Sequence, residues 1–139
     1  MPGQGQADIA KAFQLHLEPV ECFWIIGNDL AGNVHTIVEV ARGSHWTVNV
    51  DIAASMTAVL ATGASAFSVV HNHPTRDVTP SAEDRDLTNA IMEAANTVGL
   101  LFEDHVIVEP GGKSFSFRQA GLINGVTRPQ NKAATRRKR

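Results

Sequence analysis

His71 and His73 stand two residues apart in Val70-His71-Asn72-His73-Pro74, and Asp84 follows in Ser81-Ala82-Glu83-Asp84. Imidazoles and carboxylates can hold a divalent transition metal without any thiolate. A thiolate set is excluded here: Cys22 is the sole cysteine, so there is no disulfide framework, cysteine-rich zinc cluster or iron–sulfur site. Side chains alternate along a strand, so His71 and His73 should share one face while Asn72 points away. Asp84 falls in the first turn of a following helix, where a carboxylate meets the positive end of the helix dipole. Two nitrogens and one oxygen leave a fourth tetrahedral position for water, as a catalytic zinc site requires, and zinc would lower the pKa of that water to about 7.

Each half of this pattern is ordinary on its own. A His-x-His pair arises by chance about one time in five in a chain with this many histidines. Ser81-x-x-Asp84 is close to a plain capping box, with Ser81 accepting from the amide of residue 84. Requiring Pro74, Ser81 and Asp84 at their positions lowers the chance to the order of 10⁻⁵, which favours a site over a coincidence. Capping and metal binding are compatible, because a cap fixes where Asp84 points.

The elements that must position these residues follow from pattern. Ala66 to Val70 reads as a buried strand running into His71, Asn72 and His73; Pro74, lacking an amide donor, ends its pairing. Thr75 to Pro80 reads as a loop. Ser81 opens a helix whose inward stripe is Leu87, Ala90, Ile91, Ala94, Ala95 and Val98, closed by Gly99. Upstream, Ile9, Phe13 and Leu17 recur at helical spacing and predict a helix from Ala7 to Leu17. Glu21 opens a strand from Cys22 to Ile26, Gly27 to Asn33 is turn chemistry, and Val34 to Val40 completes a hairpin. Asn49 or Asp51 can cap a helix through Ile52, Met56, Val59 and Leu60 to Gly63. Leu100 to Val108 is a strand, Pro110 to Lys113 a turn and Ser114 to Phe117 a partner strand. Strands interleaved with helices predict an α/β (α+β) fold, a mixed β-sheet flanked by helices.

At 139 residues the chain suits one domain and not two. No apolar run reaches membrane-spanning length and the first residues lack a signal-peptide pattern, so a cytoplasmic protein without a membrane partner is expected. The net charge of −2 hides an asymmetry: all 14 acidic residues lie before residue 128, while six of the twelve Lys and Arg lie in the last twelve residues. Such a terminal run reads as a solvated, disordered tail over residues 123–139. A nucleic-acid contact is expected only through that tail, since the body is acidic. Residues 1–20 are expected to form a helix packing on the domain.

His71-x-His73-Pro74, with seven residues between His73 and Ser81, then Ser81-x-x-Asp84, resembles the JAMM motif of the JAB/MPN metalloprotease superfamily. The RadC-like branch is the nearer resemblance, because His71-Asn72-His73-Pro74 occurs with Asp104-His105-Val106-Ile107-Val108 further on. The likeness runs from about Glu21 to Leu122, through Ser114 to Phe117 and Gly121-Leu122. It implies a single JAB/MPN-type domain with cytidine-deaminase-like layering, spanning residues 21–122. It implies one zinc per chain on His71, His73 and Asp84, and hydrolysis of a peptide or isopeptide bond in a peptide or protein substrate. Glu21 matches the family's proton-shuttling glutamate, with Glu39 on the next strand as rival; residue type alone would make Glu21 a solvated carboxylate. Ser81 inherits the serine that orients water or stabilises the oxyanion. His105 and Asn72 are candidates to orient a ligand from behind, and His105 alternatively to line the substrate groove. His16, His35, His45, Trp24 and Trp46 read as structural.

Two departures stand out. Thr75-Arg76 replaces the usual Ser-Gly, which should stiffen the loop and narrow the cleft, and the 139 residues hold no helix-hairpin-helix pattern, so no DNA role is expected through one. A metal-dependent nuclease or repair-associated factor, and a non-catalytic binding module, are the rival readings; the first needs a basic cleft and the second normally lacks a ligand. Zinc deaminases need a Pro-Cys-x-x-Cys element that one cysteine cannot supply.

Overall fold

The computed structural model describes residues 4–43 and 52–123. The candidate caps Asn49 and Asp51, together with His45, Trp46 and all of the expected tail beyond Ile123, lie outside the described residues. The elements run α1 (Gln4–Ala12), a 3₁₀ turn (Leu15–Leu17), β1 (Cys22–Asn28), β2 (Val34–Arg42), α2 (Ile52–Ala61), β3 (Ala66–Asn72), α3 (Ala82–Val98), β4 (Leu101–Val108) and β5 (Ser114–Ser116). The strands form one sheet in the order β2-β1-β3-β4-β5, parallel between β3 and β4 and antiparallel elsewhere. The expected mixed sheet with flanking helices is what the chain builds.

Two apolar clusters fill the two faces. On one, α2 and α3 lay Met56, Val59, Leu87, Ile91 and Ala95 over Phe23, Ile25, Phe67, Val69, Phe102 and Ile107. On the other, α1 and the 3₁₀ turn lay Ala7, Ala10 and Leu15 over Cys22, Trp24, Ile26, Val70, Val106 and Val108. β1 and β3 are buried along their whole lengths, which is why apolar residues occupy both of their faces. The β1–β2 turn is tied by Asp29, whose Oδ1 accepts from the amides of Ala31 (3.0 Å) and Asn33 (2.9 Å).

The first helix is shorter than predicted. It stops at Ala12, Gln14 takes a left-handed conformation (φ 59°), and Phe13 and Leu17 are 64% and 53% exposed. The helix approaches the sheet through Ala7 and Ala10, so small residues make the close contact and the large ones face solvent. Similarly, Val98 at the end of the predicted α3 stripe is 39% exposed.

The unit that matters for chemistry is β3–α3–β4. β3 ends at Asn72, and the His73 amide still donates to Val108 O (2.8 Å), so the strand's pairing carries on to the second histidine. α3 then starts beside that end. Ser81 caps it by accepting from Asp84 N (3.0 Å) while Asp84 Oδ2 accepts from Ser81 N (2.9 Å), a complete capping box. Gly99 closes the helix at φ 82°, with its amide on Ala95 O (3.0 Å).

Candidate metal centre

Strand alternation, one loop and one helix cap bring His71, His73 and Asp84 together. His71 Nε2 lies 2.9 Å from His73 Nε2, and the Asp84 carboxylate lies 3.4 Å from each, Oδ1 toward His71 and Oδ2 toward His73. All three donor atoms fall within 4.8 Å of one another, and this group could hold a metal ion. His71 and Asp84 are buried, and His73 keeps one open side.

The donor set suits a cation. His73 Nδ1 lies 2.7 Å from Asp77 O; a carbonyl only accepts, so Nδ1 carries hydrogen and Nε2 offers a lone pair. A lone pair 2.9 Å from another imidazole nitrogen and beside a carboxylate is stable only with a proton or a cation among them. Burial holds His71 below its ordinary pKa, against the opposing pull of Asp84, so the ring is neutral, as a ligand must be. For His73 burial acts in the same direction but is outweighed by the Asp84 carboxylate and the Asp77 carbonyl, which leave its pKa raised. Burial pushes Asp84 upward, yet the two imidazoles and the Ser81 amide hold it well below the usual carboxylate range. A metal ion could take the place of such a proton.

The centre opens into a cleft of about 330 Å³ whose walls include Glu21, His73, Thr75, Ser81 and Asp84. Glu21 is half-buried and precedes β1 by one residue; since Phe23 pairs with His71, the alternation puts Glu21 on the histidine face. Glu39 is elsewhere. It pairs with Trp24, whose side chain belongs to the α1 face, and it is bonded to Arg42 at 2.7 and 3.1 Å. Ser81 lines the cleft with its Oγ accepting from Asp84 N, so its own hydrogen is free to donate elsewhere.

Asn72 points away from the metal ligands, as alternation requires, and does something else. Its Oδ1 accepts from Cys22 N (2.7 Å) and its Nδ2 donates to Glu18 O (3.1 Å) and Val20 O (2.9 Å). One side chain thus clamps the backbone on both sides of Glu21. His105 sits behind His71: its Nε2 is 2.7 Å from His71 Nδ1, and its ring stacks on Phe117 at 4.3 Å and 5°. Asp104 secures this strand end by accepting from Ser116 Oγ and from the amides of His105 and Arg118. The loop residue Arg76 leans on the β4–β5 turn. A Cβ at Gly111 would lie 2.9 Å from Arg76 Nη1 and 3.0 Å from Glu109 Oε1, so both side chains reach over this turn. Cys22 is buried and its thiol is pushed up to about 11 by desolvation, which rules it out as a nucleophile at neutral pH.

Two contributors escape a reading by pattern, Thr88 and Phe117. Thr88 is buried in the middle of α3 one turn after Asp84, where a polar residue inside an inward stripe must find a partner. That requirement is the signal that could have exposed it. Phe117 is a core aromatic by type, and nothing in its spacing ties it to His105.

The sequence profile of the RadC-like JAB domain family matches residues 4–122, taking in α1 as well as the sheet. A UPF0758 protein of Porphyromonas gingivalis is 31% identical over 105 residues, 76% of this chain and 46% of that protein. A UPF0758 protein of Rhodobacter capsulatus is 36% identical over 105 residues, 76% of this chain and 49% of that one. A third, from Thermotoga maritima, is 49% identical over 60 residues, 43% of this chain and 27% of its own. The chain therefore spans about half the length, or less, of these curated relatives.

Proposed function

The chain belongs to the RadC-like JAB domain family, and from that premise we propose that it is a zinc-dependent hydrolase of the JAMM type, cleaving a peptide or isopeptide bond in a peptide or protein substrate. The observation that carries this reading is the convergence of His71, His73 and Asp84 beside a cleft that His73, Asp84, Glu21 and Ser81 line. A buried triad without a cleft would be a structural site; a triad open on one side, beside a carboxylate and a hydroxyl, has the parts of a hydrolase. Among the described residues no helix is long and apolar enough to cross a membrane.

His71, His73 and Asp84 would hold the ion. When bound, zinc supplies a Lewis acid that polarises a carbonyl and lowers the pKa of water to about 7. The Glu21 carboxylate takes the proton from the attacking water and hands it to the leaving amine. Ser81, its oxygen fixed by the Asp84 amide, donates its hydroxyl hydrogen to the tetrahedral oxyanion. Asn72 keeps the Glu21 segment against β3, so that base and ligands hold one spacing.

The test is metal analysis of the purified chain, followed by quenched-fluorophore peptides and isopeptide-linked conjugates assayed with and without zinc. The expected result is about one zinc per chain, as for a three-ligand catalytic site, and zinc-dependent release of an amine. A chain that takes up no zinc in excess would remove the metal reading. A zinc-loaded chain that cleaves neither substrate class would remove the peptidase reading and leave the metal site standing.

A further inference from the structure

His71 can bind a metal through Nε2 only if its other nitrogen carries the hydrogen, and nothing within His71 decides this. Its Nδ1 lies 2.7 Å from His105 Nε2, and either imidazole could be the donor. The ambiguity ends on the far side of His105. Its Nδ1 lies 2.6 Å from Thr88 Oγ1, and that hydroxyl lies 2.8 Å from Asp84 O. A carbonyl only accepts, so Thr88 donates its single hydrogen to Asp84 and must accept from His105 Nδ1–H. His105 Nε2 then has a lone pair and accepts from His71 Nδ1–H. His71 Nε2 is left bare, facing His73 and Asp84.

Resting on the metal reading of the site, we propose that Thr88 is a positioning residue for the metal: anchored on the Asp84 carbonyl, its hydroxyl sets, through His105, the tautomer in which His71 can bind. The chain starts at the backbone of one ligand and ends at the ring of another. Reversing it would take the Thr88 hydrogen off Asp84 O. His71, His105 and Thr88 are all buried, at 0%, 0% and 2% exposure, so bulk water is excluded from these bonds. Phe117, stacked flat on His105, and Phe23, edge-on to it, hold the His105 ring in plane.

Zinc affinity, measured by competition with a chromophoric chelator, tests this on wild type, Thr88→Val and Thr88→Ser. Val keeps the shape and removes the hydroxyl; it should weaken zinc about 10- to 100-fold, while Ser should stay close to wild type. Wild-type affinity in Thr88→Val, or equal loss in both variants, would overturn the proposal and leave the metal site intact. No zinc binding by wild type would instead sink the metal reading itself. Should Thr88→Val not fold, the wild-type chain still decides. Long-range ¹⁵N–¹H spectra of the zinc-free protein should place hydrogen on Nδ1 of both His71 and His105. Hydrogen on Nε2 of His105 would overturn the proposal.

Discussion

The two histidines of the centre are held in opposite ways. His71 is fully buried, and its Nδ1 is met by a side chain from β4 that is itself packed between Phe23 and Phe117. His73 follows the strand, its side chain is 13% exposed, and its free nitrogen is met by Asp77 O from its own loop. The inner ligand is thus oriented by core packing and the outer one by local backbone. The centre has an inner wall built into the fold, and an open wall of Glu21, His73 and Ser81 that the fold could lose without collapsing.

Histidine removal gives the largest effect and tests this division directly. Either His71→Ala or His73→Ala should abolish stoichiometric zinc. In the zinc-free state His73→Ala should melt within a few degrees of wild type. His71→Ala should in addition lose about 1–3 kcal/mol, because it strips a buried hydrogen bond from His105. Equal stability losses in the two variants, by denaturant titration without metal, would break the comparison.

Next comes the open wall without a ligand change. Glu21→Gln keeps shape and polarity but removes the basic oxygen. Zinc content and melting temperature should hold, while hydrolysis falls at least ~10²-fold, the usual cost of losing a general base. Loss of zinc would mean that Glu21 is a ligand and not a base.

How far the sequence reaches follows the same division. The triad was legible because type and spacing carry it: alternation places His71 with His73, and Ser81-x-x-Asp84 caps a helix whether or not a metal is bound. The inner wall was half legible. His105 could be suspected as a polar residue in an apolar strand, whereas Thr88 shows only as a polar residue between Leu87 and Ile91 on the inward face of α3, and helical spacing does not name its partner on another strand. Asn72 was suspected for the wrong neighbour: it clamps the Glu18–Cys22 backbone, a contact across 50 residues or more that no local pattern encodes. The first helix was overextended because Ile9, Phe13 and Leu17 keep helical spacing, while Ala7 and Ala10 make the contact.

The Asn72 clamp supplies an intermediate effect. Asn72→Ala leaves Cys22 N–H without its side-chain acceptor in a buried place and should cost about 1–3 kcal/mol of stability. Zinc affinity should persist, since no ligand is touched, and turnover should fall less than in Glu21→Gln because the base is displaced and not removed. Asn72→Asp keeps the acceptor but sets a buried carboxylate against Glu18 O and Val20 O, and should destabilise at least as much as Ala. Wild-type turnover in Asn72→Ala would uncouple the clamp from the base.

The smallest expected effect is that of Glu39→Gln, and it decides between the two glutamates. Glu39 is on the same hairpin as Glu21, so sequence position alone leaves both in play. Its register opposite Trp24 puts it on the sheet face that α1 covers, whereas the metal ligands lie on the α3 side. Its carboxylate is engaged with Arg42, which also binds Glu18 Oε1 at 2.9 Å. The Glu39–Arg42 pair is well exposed, at 39% and 45%, and such pairs contribute about 0–1 kcal/mol. Glu39→Gln should therefore shift stability by no more than that and leave zinc content and hydrolysis unchanged, in the same assays as Glu21→Gln. The reverse pattern, Glu39→Gln inactive and Glu21→Gln active, would move the base along the hairpin and keep the metal site. Full activity in both would mean that neither carboxylate moves the proton, and the open wall would owe its chemistry to the ligands and Ser81 alone.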